Sequence, residues 1–379
     1  MKARKVPLSE VCEITMGQAP RGESYNTDGQ GVALIAGAGD FGTLTPLPKK
    51  FTTAATKLSR PDEIILCIRA TIGDRNWSDK RYCLGRGVAG LLAKADRLDR
   101  QYLWHWLDHA TPELKAKGKG ATFLQVSKSD IASLEIPLPS LAEQRRIATI
   151  LDKATALSSA CRESEEKLLR LSQSVFLDLF GNPKKSKYPS VPLENVCARI
   201  TDGAHFTPTY VSDGVPFLRV TDIQSASIEW NSVKRIPLAE HDELIKRCHP
   251  EYGDVLYSKN GTIGIPKLID WELPFSIFVS LALLKPDKEK IRGGYLESFL
   301  STPLAREQAF GHAKTGTVTN LHLVEIRKIK IPLPTLSEQD HWLKIRSCMD
   351  RERSRKRTLL KKANEMIASL QHRAFAGTL

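Results

Sequence analysis

The stretch IPLPSLAEQ at residues 136–144 recurs, with two changes, as IPLPTLSEQ at residues 331–339. In each copy a short apolar run ends in Pro-Leu-Pro, a sequence that a helix interior does not tolerate. The hydroxyl of Ser140 then offers an N-cap, Glu143 follows three residues later, and the second copy keeps both kinds of residue. This spacing is that of a capping box, so the sequence predicts that a helix begins at each of the two points.

A long helix is predicted to follow each copy. No Gly or Pro occurs between Ser140 and Gly181, and apolar residues recur at heptad spacing in both segments. Two such helices in one chain are expected to pair with each other. The predicted seam takes the first and fourth heptad positions, which are Ile147, Ile150, Ala154, Leu157, Cys161, Leu168, Leu171 and Val175 in the first helix, and Trp342, Ile345, Met349, Leu359, Ala363, Met366 and Leu370 in the second.

The repeat extends beyond the helices. The triplet VPL at residues 6–8 recurs at 191–193, and the stretch 62–73 matches 253–264, where both copies end in Thr-Ile-Gly. Similarity is strong at the edges of the globular segments and weak inside them. This distribution is typical of a duplication whose binding surfaces have diverged.

The chain is therefore predicted to be an α+β protein with a pseudo-two-fold internal repeat. Two globular segments, residues 1–139 and 183–335, have the short apolar runs and Gly-containing turns that are typical of strands with a few helices. An antiparallel pair of long helices, residues 140–182 and 336–379, is expected to separate the two globular segments as a coiled coil.

The composition favours a polyanionic partner. The 379 residues carry a formal net charge of +13, and basic residues outnumber acidic ones in both globular segments and in the last helix. No apolar run is long enough to cross a membrane, and no signal peptide is visible at the start. Seven scattered cysteines without a C-x-x-C motif indicate reduced thiols and a cytoplasmic location rather than a zinc site.

Catalytic motifs do not stand out. The sequence has no Walker A, G-x-S-x-G or H-E-x-x-H pattern. His105 and His109 are four residues apart, but no third ligand accompanies them, so they are interpreted as ordinary helix residues. Asn182-Pro183 is followed by Lys184 and not by the Pro-aromatic pair of amino-methyltransferases. The sequence thus predicts a chain without catalytic residues or a metal site of its own.

Together these features resemble the specificity subunits of type I restriction–modification systems. The repeated I-P-L-P-x-L-x-E-Q helix start carries the resemblance, and residues 62–73 and 253–264 are similar to the family's G-D-I-L…G-T-I-G stretch. The first half departs from that pattern at Asp62, Glu63 and Ala70, where Gly, Asp and Gly are usual. The resemblance covers essentially the whole chain.

The resemblance implies a non-catalytic DNA-specificity subunit. Each globular segment would be a target-recognition domain that reads one half of a bipartite double-stranded DNA sequence. MGQAP at residues 16–20 and DGAHFTP at residues 202–208 look like two different classes of such domains. The helices would dock two adenine-methyltransferase subunits, and restriction (translocase and nuclease) subunits where these exist. No cofactor is expected in this chain; S-adenosylmethionine, and ATP with Mg²⁺ for restriction, are expected in the partner subunits.

Polar side chains beside Gly-rich turns are the candidate DNA contacts. Arg can pair with guanine and Asn or Gln with adenine, whereas phosphate contacts supply affinity. The predicted DNA contacts are Arg69, Arg75, Arg86, Lys119 and Thr122 in the first segment, and His205, Arg219, Lys259, Asn260, Lys314, Thr317 and Asn320 in the second. The predicted contacts with partner subunits, at the two helix starts, are Glu143, Gln144, Ile147, Glu338 and Gln339.

Two other classes of function stay open at this point. The chain could be the recognition part of a nuclease or methyltransferase of another type, or a coiled-coil scaffold without DNA specificity. Co-purification with an adenine methyltransferase, followed by DNA-binding and methylation assays, discriminates between these classes.

Overall fold

The computed structural model describes residues 3–120, 124–181, 187–225, 227–312 and 320–379. The chain divides into two compact units. The first unit comprises Met1–Arg162 with Thr358–Leu379, and the second comprises Glu163–Arg357. Each unit combines one globular segment with part of both long helices, and each mixes helices with sheets. The predicted α+β class and internal duplication are confirmed.

The elements of the first globular segment, in chain order, lead into the first long helix, α4. They are β1 Lys5–Pro7, α1 Leu8–Val11, β2 Cys12–Met16, β3 Tyr25–Asn26, β4 Val32–Ile35, β5 Lys50–Thr52, β6 Ile64–Cys67, β7 Arg75–Trp77, β8 Cys83–Leu84, β9 Val88–Ala93, α2 Arg100–Ala116, α3 Lys128–Ala132, β10 Glu135–Pro137 and α4 Leu141–Phe180.

The second globular segment leads in the same way into the second long helix, α10. Its elements are β11 Ser190–Pro192, β12 Cys197–Asp202, β13 Val215–Leu218, α5 Val220–Ile223, β14 Arg235–Ile236, α6 Leu238–Arg247, β15 Val255–Ser258, β16 Pro266–Leu268, β17 Ser276–Ile277, β18 Leu281–Pro286, α7 Gly293–Leu300, α8 Pro303–His312, α9 Leu323–Lys328, β19 Lys330–Pro332 and α10 Leu336–Ala376.

The same sheet is built in both units. In the first unit an antiparallel sheet has the strand order β2-β9-β6-β7, and in the second unit the order β12-β18-β15-β16. A parallel pair accompanies each sheet: Leu34 of β4 lies opposite Cys83 of β8, and Phe217 of β13 lies opposite Ser276 of β17. The duplication seen in the sequence is therefore a duplication of topology and register.

The central strands are buried along their whole length. All four residues of β6 and all four of β15 are inaccessible to solvent, which explains why both sequences are apolar runs without strict alternation. A helix packs on each sheet and carries a buried tyrosine. The hydroxyl of Tyr102 donates to Pro137 O at 2.9 Å, and that of Tyr295 donates to Pro332 O at 2.8 Å.

The Pro-x-Pro stretches close the globular segments. Val6 of β1 pairs with Ile136 of β10, and Val191 of β11 pairs with Ile331 of β19, in two antiparallel ribbons of the same register. Each ribbon joins the first strand of a globular segment to its last strand, directly before a long helix begins.

The two helix starts differ in their caps. Thr335 N–H donates to Glu338 Oε2 at 2.9 Å, and Glu338 N–H donates to Thr335 Oγ1 at 3.4 Å, so the second capping box is complete. At the first start, Glu143 N–H donates to Ser140 Oγ at 3.3 Å. The Glu143 carboxylate instead binds the guanidinium of Arg146 at 2.7 and 2.8 Å. The capping box predicted there is thus only half formed, because Arg146 competes for the carboxylate.

The long helices run antiparallel within the second unit. Glu165 of α4 accepts from Arg357 Nε at 2.5 Å. Further along α4, the ring of Phe176 lies 5.2 Å from that of Trp342, which stands earlier in α10. In the first unit, Ser158 donates to Asn364 Oδ1 at 2.7 Å. The predicted pairing of the two helices is confirmed.

The seam of this pairing differs from the predicted one. Four of its predicted fourth-position members are exposed, namely Leu157 at 51%, Leu171 at 50%, Leu359 at 50% and Met366 at 41%. In α4 the buried residues follow a spacing of four and then three, so Leu151 and Ser158 are buried instead of Leu157. The predicted first heptad positions are buried or half-buried, as a seam requires. The second row of seam residues lies one residue later in the chain than the predicted fourth positions. The four exposed apolar side chains therefore lie on a helix face outside the seam, which is the open face of the helices.

Candidate nucleic-acid interface

The central strand of each sheet ends in a turn of the same shape. Ala70 follows β6 with φ of 62°, and Gly261 follows β15 with φ of 73°. The turn closes with the same backbone hydrogen bond in both units, from the N–H of Gly73 or Gly264 to the last residue of the strand, at 3.0 Å. The residue before the positive φ is therefore presented in the same way by both units.

In the first unit polar side chains form a row beside this turn. Gln125 is bridged in antiparallel fashion to Arg69 and to Lys119, and Gln125 and Lys119 exchange two backbone hydrogen bonds of 2.9 and 3.0 Å. A further hydrogen bond of 2.9 Å, between the residue before Arg69 and the residue after Arg86, brings Arg86 to the same turn. Lys119, Gln125 and Arg86 are exposed and Arg69 is half-buried. The structure thus brings three predicted contacts together.

In the second unit the corresponding position holds two asparagines. Asn260 is bridged to Asn320 as Arg69 is bridged to Gln125. Both asparagines are half-buried. Within the part of the chain that the structure describes, their side-chain oxygens have no hydrogen-bond partner. Both predicted residues therefore meet at one place, and their acceptor oxygens are unpaired and buried.

The buried carboxylate of Asp202 pairs with the basic side chains next to the two asparagines. Asp202 lies 3.0 Å from Lys259 Nζ, 3.0 Å from His205 Nε2 and 3.0 Å from Arg247 Nη2. Burial opposes ionisation of Asp202, but its hydrogen bonds with His205 and Lys259 outweigh burial and lower its pKa. The side chain of Lys259 is only 7% exposed, so it is an internal counter-ion and its Nζ is not available for the predicted DNA contact. His205 and Arg247 are more than half exposed and are the accessible basic side chains of this cluster.

Two further predicted cations are held by neighbouring acids. Arg75 donates to Asp108 at 3.0 Å and stacks 4.5 Å from the ring of Trp104, and its side chain is almost buried. This residue braces a sheet edge against α2, which leaves little of it for DNA. Arg219 donates to Asp222 at 3.1 Å, a bond that raises the pKa of the guanidinium, and it keeps a third of its side chain exposed.

Three predicted DNA contacts, Thr122, Lys314 and Thr317, lie outside the described residues. They stay predictions.

The glutamines of the repeated motif are internal. Gln144 is fully buried; its Nε2 donates to Pro139 O at 2.9 Å and Arg97 O at 3.0 Å, and its Oε1 accepts from Asp99 N–H at 2.8 Å. Gln339 is equally buried and makes the same three kinds of bond, at 3.0, 3.0 and 2.8 Å. Both side chains fasten a helix start to the preceding globular segment. The sequence predicts that these two glutamines contact partner subunits directly. In this structure neither side chain has accessible surface for such a contact.

The other predicted partner contacts also have roles inside the chain. Ile147 is buried in the hydrophobic core of the first unit. Glu143 is paired with Arg146, and Glu338 accepts from Tyr188 Oη at 2.8 Å. Glu143 and Glu338 keep half-exposed side chains, whereas Ile147 has no accessible surface for a partner subunit.

Two functional candidates were missing from the sequence-based set. Gln125 reaches the turn through a bridge to a residue far away in sequence, which no local pattern reveals. The repeat does carry a signal, because Gln125 precedes Val126 as Asn320 precedes Leu321, and Val126 and Leu321 make equivalent backbone hydrogen bonds. Arg247 ends α6 and has no marker in the sequence.

His105 Nε2 lies 2.7 Å from Asp152 Oδ1, a contact that joins α2 to α4. Among the described residues, no group of three or more His, Cys, Asp or Glu side chains is gathered as a metal ion would require. The helices in this part of the chain are also too short or too polar to cross a membrane.

Comparison with known proteins identifies the kind of domain in the first half of the chain. Residues 2–169 match the family model of the type I restriction modification DNA specificity domain. A sequence assigned as the specificity subunit of the type I restriction enzyme MjaX from Methanocaldococcus jannaschii is 32% identical over 163 residues, which cover 43% of this chain and 38% of that relative. The first half of the chain therefore matches the type I restriction–modification DNA-specificity domain.

Similarity to this family extends over both halves of the chain. The EcoBI specificity subunit from Escherichia coli is 21% identical over 407 residues, covering 99% of this chain and 86% of that protein. A solved structure from work on complex assembly and conformational transition of the type I R-M system has a TM-score of 0.57 at 19% identity, and covers 100% of this chain and 98% of that one. That structure has the same fold as this chain, so the predicted two-part architecture is confirmed.

Proposed function

We propose that this chain is the DNA-specificity subunit of a type I restriction–modification complex, and that each unit reads one half of a bipartite duplex sequence. The proposal rests on one observation: the same backbone arrangement of turn and bridge, called the frame, occurs in both units and carries different polar side chains in each. The first unit presents Arg69 and Gln125, and the second presents Asn260 and Asn320. Equal frames with unequal hydrogen-bonding groups are what two readers of different half-sites require.

The chain would recognise the DNA sequence, and its partner subunits would carry out methylation and restriction. The buried glutamines and the ribbons before each helix fix the globular segments to the helix starts, so recognition is coupled to the helices mechanically. S-adenosylmethionine, and ATP with Mg²⁺ for restriction, would be bound by the partner subunits.

Two methyltransferase subunits would dock on the long helices, one for each unit, with restriction subunits added where these exist. The support is the apolar face that the helix seam leaves open. Leu157 and Leu359 expose half of their surface in the first unit, and Leu171 does so in the second. Exposed large apolar side chains that recur along a helix favour association with another protein.

The test is co-expression of the full chain with candidate adenine methyltransferases. We expect a stable complex that methylates adenine in a two-part motif, and we expect no S-adenosylmethionine turnover by the isolated chain. Methylation without sequence preference would overturn the recognition role. Turnover by the purified chain alone would contradict the non-catalytic assignment.

A further inference from the structure

We propose that the bridged pairs Arg69–Gln125 and Asn260–Asn320 read base edges in the major groove, one pair in each half-site, and that Lys119 contacts phosphate beside the first pair. This inference rests on the proposed function. It goes further by assigning the side chains that determine sequence preference.

The backbone that presents the two pairs is the same in both units. Ile68 in the first unit and Lys259 in the second each donate an N–H at 2.9 Å to the residue that precedes the neighbouring strand, β9 or β18. Each of these two residues also accepts at its carbonyl from the residue after the bridged partner, at 3.0 and 2.8 Å. Because these bonds involve the main chain alone, the side chains at the bridged positions can differ without a change of the frame. This is the property that a specificity-determining position needs.

The bridge also orients the side chains. Residues directly opposed in an antiparallel bridge point to the same face, with Cβ atoms about 4.5–5.5 Å apart. Successive bases along one strand of a duplex are about 3.4 Å apart. A bridged pair can therefore contact one base pair or two adjacent ones. In the first unit the second bridge of Gln125 places Lys119 on the same face.

The chemistry of the pairs suits base edges. An Arg can make two hydrogen bonds with guanine O6 and N7, and Gln or Asn can do so with adenine N6 and N7. In the described residues the Oδ1 atoms of Asn260 and Asn320 are buried and lack donors. An unpaired amide oxygen is costly inside a protein. Both side chains would therefore turn outward on DNA binding, where the exocyclic amine of adenine is a donor that can pair with the amide oxygen. The second half-site is therefore expected to contain adenine at the contacted position.

Neighbouring cations are less suited to this task. Lys259 is neutralised by Asp202, and Arg75 is held between Asp108 and Trp104. These contacts fix both cations inside their unit, so the bridged pairs present the polar groups at the turn.

The experiment uses the full chain assembled with its methyltransferase partner. Bound duplexes are selected from a randomised pool and sequenced. For Gln125→Ala we expect about tenfold or greater loss of discrimination at one or two adjacent positions of one half-site only. Asn260→Ala should do the same in the other half-site. Asn260→Asp should shift preference from adenine towards cytosine, because a carboxylate accepts from the cytosine amine.

Lys119→Ala distinguishes a phosphate contact from a base contact. Its selected motif should stay unchanged, while affinity falls for all sequences and the dependence on salt becomes shallower. A change of motif in Lys119→Ala would overturn its assigned role.

Matched controls are Gln30→Ala and Asn195→Ala, which remove the same amides from exposed positions away from the bridges. They should keep the wild-type motif, and thermal unfolding of each variant confirms that it is folded. If the wild-type complex selects no motif, the proposed function itself fails. If the wild type selects a motif and the Gln125 and Asn260 variants select the same motif with equal discrimination, the assignment of the bridged pairs fails while the proposed function stands.

Discussion

Ala70 and Gly261 occupy the same position in the two halves of the chain, and both have a left-handed backbone, with φ of 62° and 73°. A side chain in this conformation costs roughly 1–2 kcal/mol, whereas glycine adopts it freely. The turn that presents Arg69 is therefore strained at Ala70. The corresponding turn of the second half has a glycine at this position and lacks the strain. This difference allows the cost of the turn to be measured.

Substitution Gly261→Ala should destabilise the second unit by about 1–2 kcal/mol. A Cβ at this position would meet no atom within 4 Å, so the effect comes from backbone conformation alone. Urea unfolding measures it. The control is Gly311→Ala, which also adds a Cβ in open space but in helix α8, and which should stabilise by about 0.5–1 kcal/mol. Effects of the same sign in both variants would contradict this account of the turn.

Substitution Gln144→Ala should destabilise the chain by about 3 kcal/mol. The change leaves Asp99 N–H and the carbonyls of Arg97 and Pro139 without their partner, and each buried unpaired group costs about 1–3 kcal/mol. Chemical denaturation of this variant is compared with that of Gln30→Ala, an exposed glutamine of the same unit, which should stay within about 0.5 kcal/mol of wild type. A stable Gln144→Ala variant that only loses its partner subunits would restore the role predicted from the sequence.

Substitution Glu63→Gln tests the buried carboxyl group of the residue that directly precedes β6. Burial raises the pKa of Glu63, against the bond that it accepts from Arg60 N–H at 2.7 Å. A raised pKa means that the folded state holds the proton more tightly than the unfolded state. Wild-type stability should therefore fall as the pH rises from the unfolded value of about 4.5 through the higher folded pKa, and then level off. The Gln variant should lack this fall.

Stability measured between pH 4 and pH 8 checks that expectation. The gain of Glu63→Gln over wild type should be near zero at the acid end and largest at the neutral end. Asp254 takes the same place in the second half, where burial also raises its pKa although Lys285 Nζ contacts its carboxylate at 2.6 Å. Asp254→Asn should therefore gain less stability at neutral pH than Glu63→Gln, because it also removes one of the two carboxylates, Asp254 and Glu251, that contact a mostly buried lysine. Parallel pH profiles for wild type and Glu63→Gln would rule out this interpretation.

Local signals in the sequence predicted the duplication and the two helix starts, because Pro, capping residues and repeated motifs act over a few residues. The register of the seam was not predicted correctly. Leu157 and Leu151 both continue an apolar stripe from Ile147, and only the position of the partner helix decides which one is buried. Leu157 is therefore exposed because of the tertiary packing of the two helices, and its hydrophobicity alone does not predict this.

The candidate site was predictable in part for a similar reason. The turns that present Arg69 and Asn260 are marked by repeated Gly and Thr residues, so both contacts could be proposed. The engagement of Lys259 by Asp202 depends on strands that are distant in sequence, and so does the bridge of Gln125. A cation beside a Gly-rich turn looks the same in the sequence whether it faces solvent or an internal acid.

Substitution Leu157→Lys should weaken assembly with the methyltransferase while the chain stays folded. Leu157 is 51% exposed on the open face of α4, so its replacement removes little from the core, but a charge there opposes burial against an apolar partner surface. Ala160→Lys introduces the same charge at another exposed position of the same helix and serves as the matched control. Co-purification and the midpoint of thermal unfolding are measured for both. Equal binding by the two variants would place the docking surface elsewhere, whereas a lower midpoint for Leu157→Lys alone would show that this leucine supports the fold instead.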